Sequence, residues 1–213
     1  QQVLDALAAV DAEQIDAYTE EVNNDPLVPE LNSNVTIKKM QDGVYGTKLI
    51  TLSNGIKVHV LHTDYSPNSI AMRAISWGGS SLYPNSEYNL VDNAHMVQVG
   101  GWGQFSAIDL QKKLSGKQVS VEPSIADRTE ALHGSCVKKD LETMLQLTYL
   151  CFTSPRRDDD AYKSLLERTR NSLKNEDMNP ITALRDSIAS VVYNNNVRAL
   201  RMRTEDVDGL DYD

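Results

Sequence analysis

Asn54-Gly55 separates two runs that alternate apolar and polar side chains, residues 47–52 (TKLITL) and 56–62 (IKVHVLH). Alternation at period two is the pattern of a half-buried strand, and Asn-Gly between two such runs marks a hairpin, because both residues tolerate the positive φ of a tight turn. Another β-like run, residues 70–77, ends in Gly78-Gly79. The first part of the chain therefore predicts three adjacent strands.

Helical periodicity takes over from about 87 to 99 and again after Ser106, where Ser106 and Asp109 form a weak capping box and Gly116 ends the helix. Residues 117–124 (KQVSVEPS) and 131–136 read as two strands that extend the same sheet. From Val137 to Phe152 the chain reads as helix, with Leu141, Met144, Leu145 and Cys151 on one face and Leu147 and Leu150 widening it. After Pro155, residues 158–175 and 180–193 read as two more helices. The second has Pro180 in its first turn and Ile181, Leu184, Ile188, Val191 and Val192 inside. Grouped strands and grouped helices, in the order β-β-β, α-α, β-β, α-α-α, predict an α+β fold: a largely antiparallel sheet covered by helices.

Upstream, Val3, Leu4, Leu7, Val10, Ile15, Tyr18 and Val22 fall at helical spacing, and Asp25-Pro26 stops the helix. Residues 23–34 (NNDPLVPELNSN) carry two prolines and several Asn, which disfavour regular structure and suggest a tether. Residues 1–34 are thus expected to be an N-terminal helix and tether, and 35–213 a folded domain.

Composition narrows the function classes. A net charge of −9, with acids spread throughout, opposes binding to a phosphate backbone, so nucleic acid is not an expected partner. No stretch approaches the roughly 18 apolar residues of a membrane helix, and the N-terminal segment lacks the form of a signal peptide. A start at Gln1 reads as a fragment whose targeting signal, if it has one, lies upstream. Cys136 and Cys151 sit among apolar neighbours without the close pairing of a redox or zinc-ribbon site, and read as buried thiols.

Three stretches carry a resemblance: LSNGIKVHV at 52–60 with the Gly-Gly-Ser turn at 78–80, GGWGQFSAIDLQKKLSGKQVSVEPSIAD at 100–127, and VKKDLETMLQLTYLCFTSPRRDDDAYKSLLERTR at 137–170. Together with the element order they resemble the pitrilysin/insulinase family of zinc peptidases, which includes the mitochondrial processing peptidase. The likeness covers most of residues 47–193 and is nearest to the second, non-catalytic half of two-half bacterial zinc proteases. It implies a metallopeptidase half-domain of the processing-peptidase type, with residues 1–34 joining the halves. Because such a domain continues with a helix, a strand and another helix, the resemblance also implies C-terminal truncation and an exposed sheet edge that could drive homodimerisation.

Active members of that family carry H-x-x-E-H on a helix, two His to bind zinc and a Glu to take a proton from metal-bound water. In the best register Val91 stands at the first His, Ala94 at the Glu and His95 at the second His. Valine offers zinc no lone pair and alanine is no base, so neither a catalytic residue nor a metal site is expected in this chain. Zinc is expected in the catalytic half of the full-length protein. His95 reads as a leftover helix histidine, satisfied by a hydrogen bond or by solvent. Glu176, near the place of the downstream Glu ligand, lacks partners for a metal. His59 and His62 are three apart on a strand and point to opposite faces, and His133 lies on another strand.

The remaining chemistry is thin. The string GGWG has no GK[ST] after it, Ser106 and Ser135 have no His/Asp pattern nearby, and Arg156-Arg157 before Asp158 to Asp160 reads as a solvated helix start. The resemblance implies a silent module that forms part of a substrate-enclosing chamber and partners a catalytic half in the same chain or in trans. The peptide-contact candidates are Gly100, Gly101, Trp102, Gly103 and Phe105, with core packing of Trp102 weighed equally. The alternatives are an autonomous zinc metallopeptidase using His95, Glu176 and other acids, and a scaffold subunit without proteolysis. Resemblance to bacterial relatives implies the cell envelope or periplasm.

Overall fold

The computed structural model describes residues 25–29, 31 and 33–212. The helix expected over residues 3–22 lies outside them. The described strands form two antiparallel sheets, where the strand pattern predicts one. Strands β1 (Ile37–Asp42), β2 (Lys48–Leu52) and β3 (Lys57–Val60) pair in chain order, whereas β4 (Ser69–Trp77), β5 (Val119–Ile125) and β6 (Thr129–Val137) pair in the order β4-β6-β5. The run at 70–77 is therefore not a third neighbour to the hairpin. It pairs along its whole length with β6, from Ser69 opposite Val137 to Trp77 opposite Thr129.

The hairpin itself forms as the Asn-Gly signal predicts, with Lys48 opposite Val60 and Thr51 opposite Lys57. Its turn uses the two residues differently. Gly55 takes φ +91°, while Asn54 contributes through its side chain, whose Oδ1 accepts from Ile56 N–H at 3.2 Å. Strand β1 has no counterpart in the sequence pattern. A bulge between Ile37 and Lys39 shifts the register against β2, which puts Ile37 and Met40 out of step with any period-two pattern.

Five α-helices follow among the described residues: α1 (Tyr88–Asp92), α2 (Ala107–Lys113), α3 (Leu141–Thr153), α4 (Asp159–Asp177) and α5 (Pro180–Val192). The helix expected over 87–99 is broken: α1 ends at Asn93 and the chain continues as 3₁₀ turns, Ala94–Gly100. Asn93 donates its side-chain amide to Asn89 O at 2.8 Å, the local competition by which Asn ends helices. The capping box of α2 is present, Ser106 Oγ accepting from Asp109 N–H at 3.1 Å and Asp109 Oδ2 accepting from Ser106 N–H at 3.2 Å.

The core lies between the second sheet and α3. Val121, Leu132 and Cys136 alternate inward from β5 and β6 and meet Met144, Leu147 and Leu150, with Ile70 and Met72 of β4 packed alongside. A Cβ on Gly134 would stand 2.9 Å from both Met144 Sδ and Met72 Cε, so glycine is what lets the helix approach β6. The face of α3 turned inward is Thr143, Met144, Leu147 and Leu150; Leu141 and Leu145, expected inside, are outside. Likewise Ile181, Leu184, Ile188, Val191 and Val192 of α5 are all exposed.

The proline-bearing stretch expected to be a tether packs in part against the domain. Leu27 and Val28 are buried in the core cluster with Trp102 and Phe105. At the other end of the chain, Tyr212 stacks on Tyr162 of α4 with ring centroids 4.2 Å apart, and its hydroxyl accepts from Asp158 N–H at 2.8 Å.

Candidate functional site

The segment from Tyr88 to Phe105 holds the motif positions Val91, Ala94 and His95 and the peptide-contact candidates Gly100, Gly101, Trp102, Gly103 and Phe105. Arg198 fixes its approach: Nε donates to Asn85 Oδ1 at 2.7 Å, Nη1 to Ser80 O at 3.1 Å and Nη2 to Tyr83 O at 2.5 Å, and the guanidinium lies over the Tyr88 ring at 4.9 Å. Burial, then the nearby carboxylates of Asp92 and Asp127, push the Tyr88 hydroxyl above its ordinary pKa.

At the motif positions, Val91 and Ala94 are half-buried and His95 is exposed. His95 Nδ1 lies 3.2 Å from the Asp92 carbonyl, to which the Nδ1–H tautomer donates. Glu176, on α4, is turned to Arg201, 3.9 Å from Nη1. Arg201 also pairs with Asp177 and with Asp186, the latter at 3.0 Å. Those acids thus anchor the α4–α5 connection. Among the described residues no three His, Cys, Asp or Glu side chains come together to hold a metal ion. His59 on β3 and His133 on β6 are exposed and lie on different sheets. The donor set does not fit zinc, which needs at least three protein ligands converging on one point.

The glycine loop is pinned on both sides. Arg156 Nη1 donates to Gly100 O at 2.9 Å, Arg156 N–H to Gly101 O at 3.1 Å, and Gly103 N–H to Ser154 O at 2.7 Å. Trp102 and Phe105 exchange backbone hydrogen bonds, both 3.1 Å. Gly101 holds φ +88° and Gly103 φ +62°, values that glycine alone takes without strain. Within this frame Trp102 is 9% exposed and Phe105 0%, so both aromatic side chains are core residues. Gly100 and Gly101 are buried, Gly103 is half-buried, and the exposed tip is Gln104.

Both thiols are free; Cys136 is buried as expected, whereas Cys151 is only half-buried. Burial raises both thiol pKa values, with Asp140 adding to the effect at Cys136. Two positioning features have no clear mark in the sequence, the Arg198 clamp and the seating of Leu27 and Val28. The only local signal for the second is two apolar residues between Pro26 and Pro29.

No family model matches the chain. Over 128 residues it is 30% identical to the probable zinc protease PqqL of Haemophilus influenzae, a match covering 60% of this chain and 14% of that protein. The fold is similar to that of the periplasmic protease PqqL from Escherichia coli, with TM-score 0.74 and 18% identity over 99% of this chain and 23% of the other. It is also similar to the ferredoxin protease FusC, solved as a mutant in complex with Arabidopsis ferredoxin, with TM-score 0.67 and 15% identity over 99% and 24%. A protease from Helicobacter pylori matches with TM-score 0.53 and 13% identity over 73% and 36%. The chain resembles the insulinase-type zinc peptidases in sequence and shares the α+β fold of these proteases. It spans 14% of the length of the curated relative and about a quarter of the first two solved ones.

Proposed function

We propose that this chain is part of the non-catalytic half of a zinc metallopeptidase, a wall of the chamber that encloses substrate and contacts peptide. The zinc and its ligands belong to a catalytic half, in the same chain or in trans. One observation supports the reading: on a fold similar to that of a periplasmic protease, Val91 and Ala94 stand where the register implied by the resemblance would need a ligand and a base, and among the described residues no metal-holding cluster forms around His95. A segment carrying Val and Ala there can pack and position, but it cannot activate water.

Peptide contact in this reading falls to the rim of the glycine loop. With Trp102 and Phe105 holding the loop from inside and the Gly103 N–H bonded to Ser154 O, the groups this reading leaves to an extended substrate are the Gly103 carbonyl and the exposed Gln104 side chain. The likeness to a periplasmic protease makes the cell envelope the compartment we favour.

Metal content of the purified chain after mild dialysis tests the proposal. Below about a tenth of an equivalent of zinc is the expected result, because one histidine is too few ligands to retain the ion. Near one equivalent overturns it and favours an autonomous peptidase built on His95 and Glu176.

A further inference from the structure

Strands β1, β3, β4 and β5 form the edges of the two sheets, and three of them are guarded against further pairing. Strand β1 carries its bulge together with Lys38 and Lys39, and β3 is four residues long and opens on Lys57. Strand β5 contains Pro123. Val137 N–H donates to Gln118 O, so the even-numbered positions of β5 bond β6, and the N–H that proline lacks falls on the outer side. Strand β4 has none of these devices: it runs nine residues in unbroken register with β6, without proline and with Arg73 as its one charge.

The register names the groups on that open edge. Asn68 O accepts from Lys138 N–H and Gly78 N–H donates to Arg128 O, which assigns the even-numbered positions of β4 to the ladder with β6. The N–H and C=O groups of Ala71, Arg73, Ile75 and Trp77 therefore point outward, where no strand lies among the described residues. Their side chains share the sheet face turned away from α3, since Ile70 and Met72 are the residues packed on the core. Ile75 is 57% exposed and Trp77 86%.

We propose that β4 pairs with β4 of a second copy of this chain, antiparallel about a two-fold axis at Ile75, so that the two second sheets join edge to edge. The inference goes beyond the peptidase reading and does not rest on it. What selects a second copy is that the strand complements itself in this register. Ile75 stands opposite its counterpart, and Arg73 of each copy opposite Trp77 of the other, so each guanidinium meets the face of an indole. Three residue pairs then exchange about six backbone hydrogen bonds. Centring the pair on Arg73 instead sets two guanidinium groups opposite each other, which repel. Because the axis is normal to the sheet, α3 of both copies stays on one face of the joined sheet, and Arg73, Ile75 and Trp77 on the other.

Sedimentation velocity of the intact 213-residue chain across the micromolar range, with tryptophan emission read in parallel, tests the pairing. The mass is expected to rise with concentration from 23.7 kDa toward twice that value. Trp77 and Trp102 are the two tryptophans, and Trp102 is already buried, so the blue shift expected on dimerisation reports Trp77. Ile75→Pro removes an outward N–H without touching the ladder to β6, and is expected to weaken the dimer at least about tenfold while far-ultraviolet circular dichroism stays unchanged. Should that variant disturb the strand, Ile75→Lys changes only an exposed side chain and sets two ammonium groups opposite each other, with the same expected loss. A monomer at every concentration overturns the proposal and leaves the edge to an extended segment of a different chain. A dimer that survives both variants, or that forms without a shift in tryptophan emission, overturns it too, by assigning the contact to another face such as the exposed apolar residues of α5.

Discussion

Gly101 shows how tightly single residues set the glycine loop. Its φ of +88° and the nearness of Ala107 N, 2.7 Å from where a Cβ would stand, leave no space for a side chain. Gly101→Ala is expected to cost about 3 kcal/mol or more, strain in a left-handed backbone adding to a clash with main-chain atoms that cannot rotate away. At Gly116, where φ is +78° but a Cβ would meet nothing within 4 Å, the same substitution is expected to cost only about 1 kcal/mol. Urea midpoints of the two variants separate clash from backbone strain. Asp158 sets a pH response. The hydrogen bond from Arg156, then that from Ala161 N–H, holds its carboxyl below the ordinary carboxylate range. A depressed folded-state pKa gives stability that is present above the unfolded value, near 4, and is lost as pH falls through the folded one. Asp158→Asn is therefore expected to flatten part of the acid-side fall in unfolding midpoint below about pH 4, leaving the profile at pH 6–8 parallel to that of the unaltered chain.

Among elements, α3 and α5 look alike in sequence and sit in opposite environments. Leu147 of α3 is fully buried, whereas Leu184 of α5 is well exposed. Leu147→Ala is expected to destabilise by about 2–5 kcal/mol and Leu184→Ala by no more than about 0.5 kcal/mol, measured by equilibrium unfolding. The contrast also shows what is legible in the sequence. The hairpin around Asn54-Gly55, the α2 capping box and the ends of α4 follow from local chemistry and can be read directly. Strand β1 cannot, because its bulge breaks the alternation on which strand recognition rests. The inward face of α3 cannot either: Leu141, Met144, Leu145, Leu147, Tyr149, Leu150 and Phe152 nearly encircle the helix, and periodicity gives no preference among faces when most are apolar. At the candidate site, that Val91 and Ala94 offer zinc no donor is legible directly, since ligand chemistry belongs to residue type. The Arg198 clamp is not, because it reaches Ser80 across 118 residues and leaves no local trace.

At the scale of the molecule, the two sheets differ in what supports them. The second is backed by α3 and contributes Val121, Leu132 and Cys136 to the core. The first contributes nothing to it: no residue of β1, β2 or β3 is buried, and Ile37, Met40, Val58 and Val60 stand exposed. A three-stranded sheet held mainly by its own ladders and cross-strand pairs can open without disturbing the core, because its opening brings little new apolar surface into water. Native-state hydrogen exchange at rising urea is therefore expected to show amides of β1–β3 opening as one unit, at a free energy below that of β4, β6 and α3, which exchange only on global unfolding. If amides of β2 and β6 merge into a single isotherm at all urea concentrations, the first sheet is coupled to the core and this division fails. If they separate, the chain has a firm layer of β4–β6 with α3, and a more yielding sheet whose exposed apolar residues gain stability only when a further surface is laid against them.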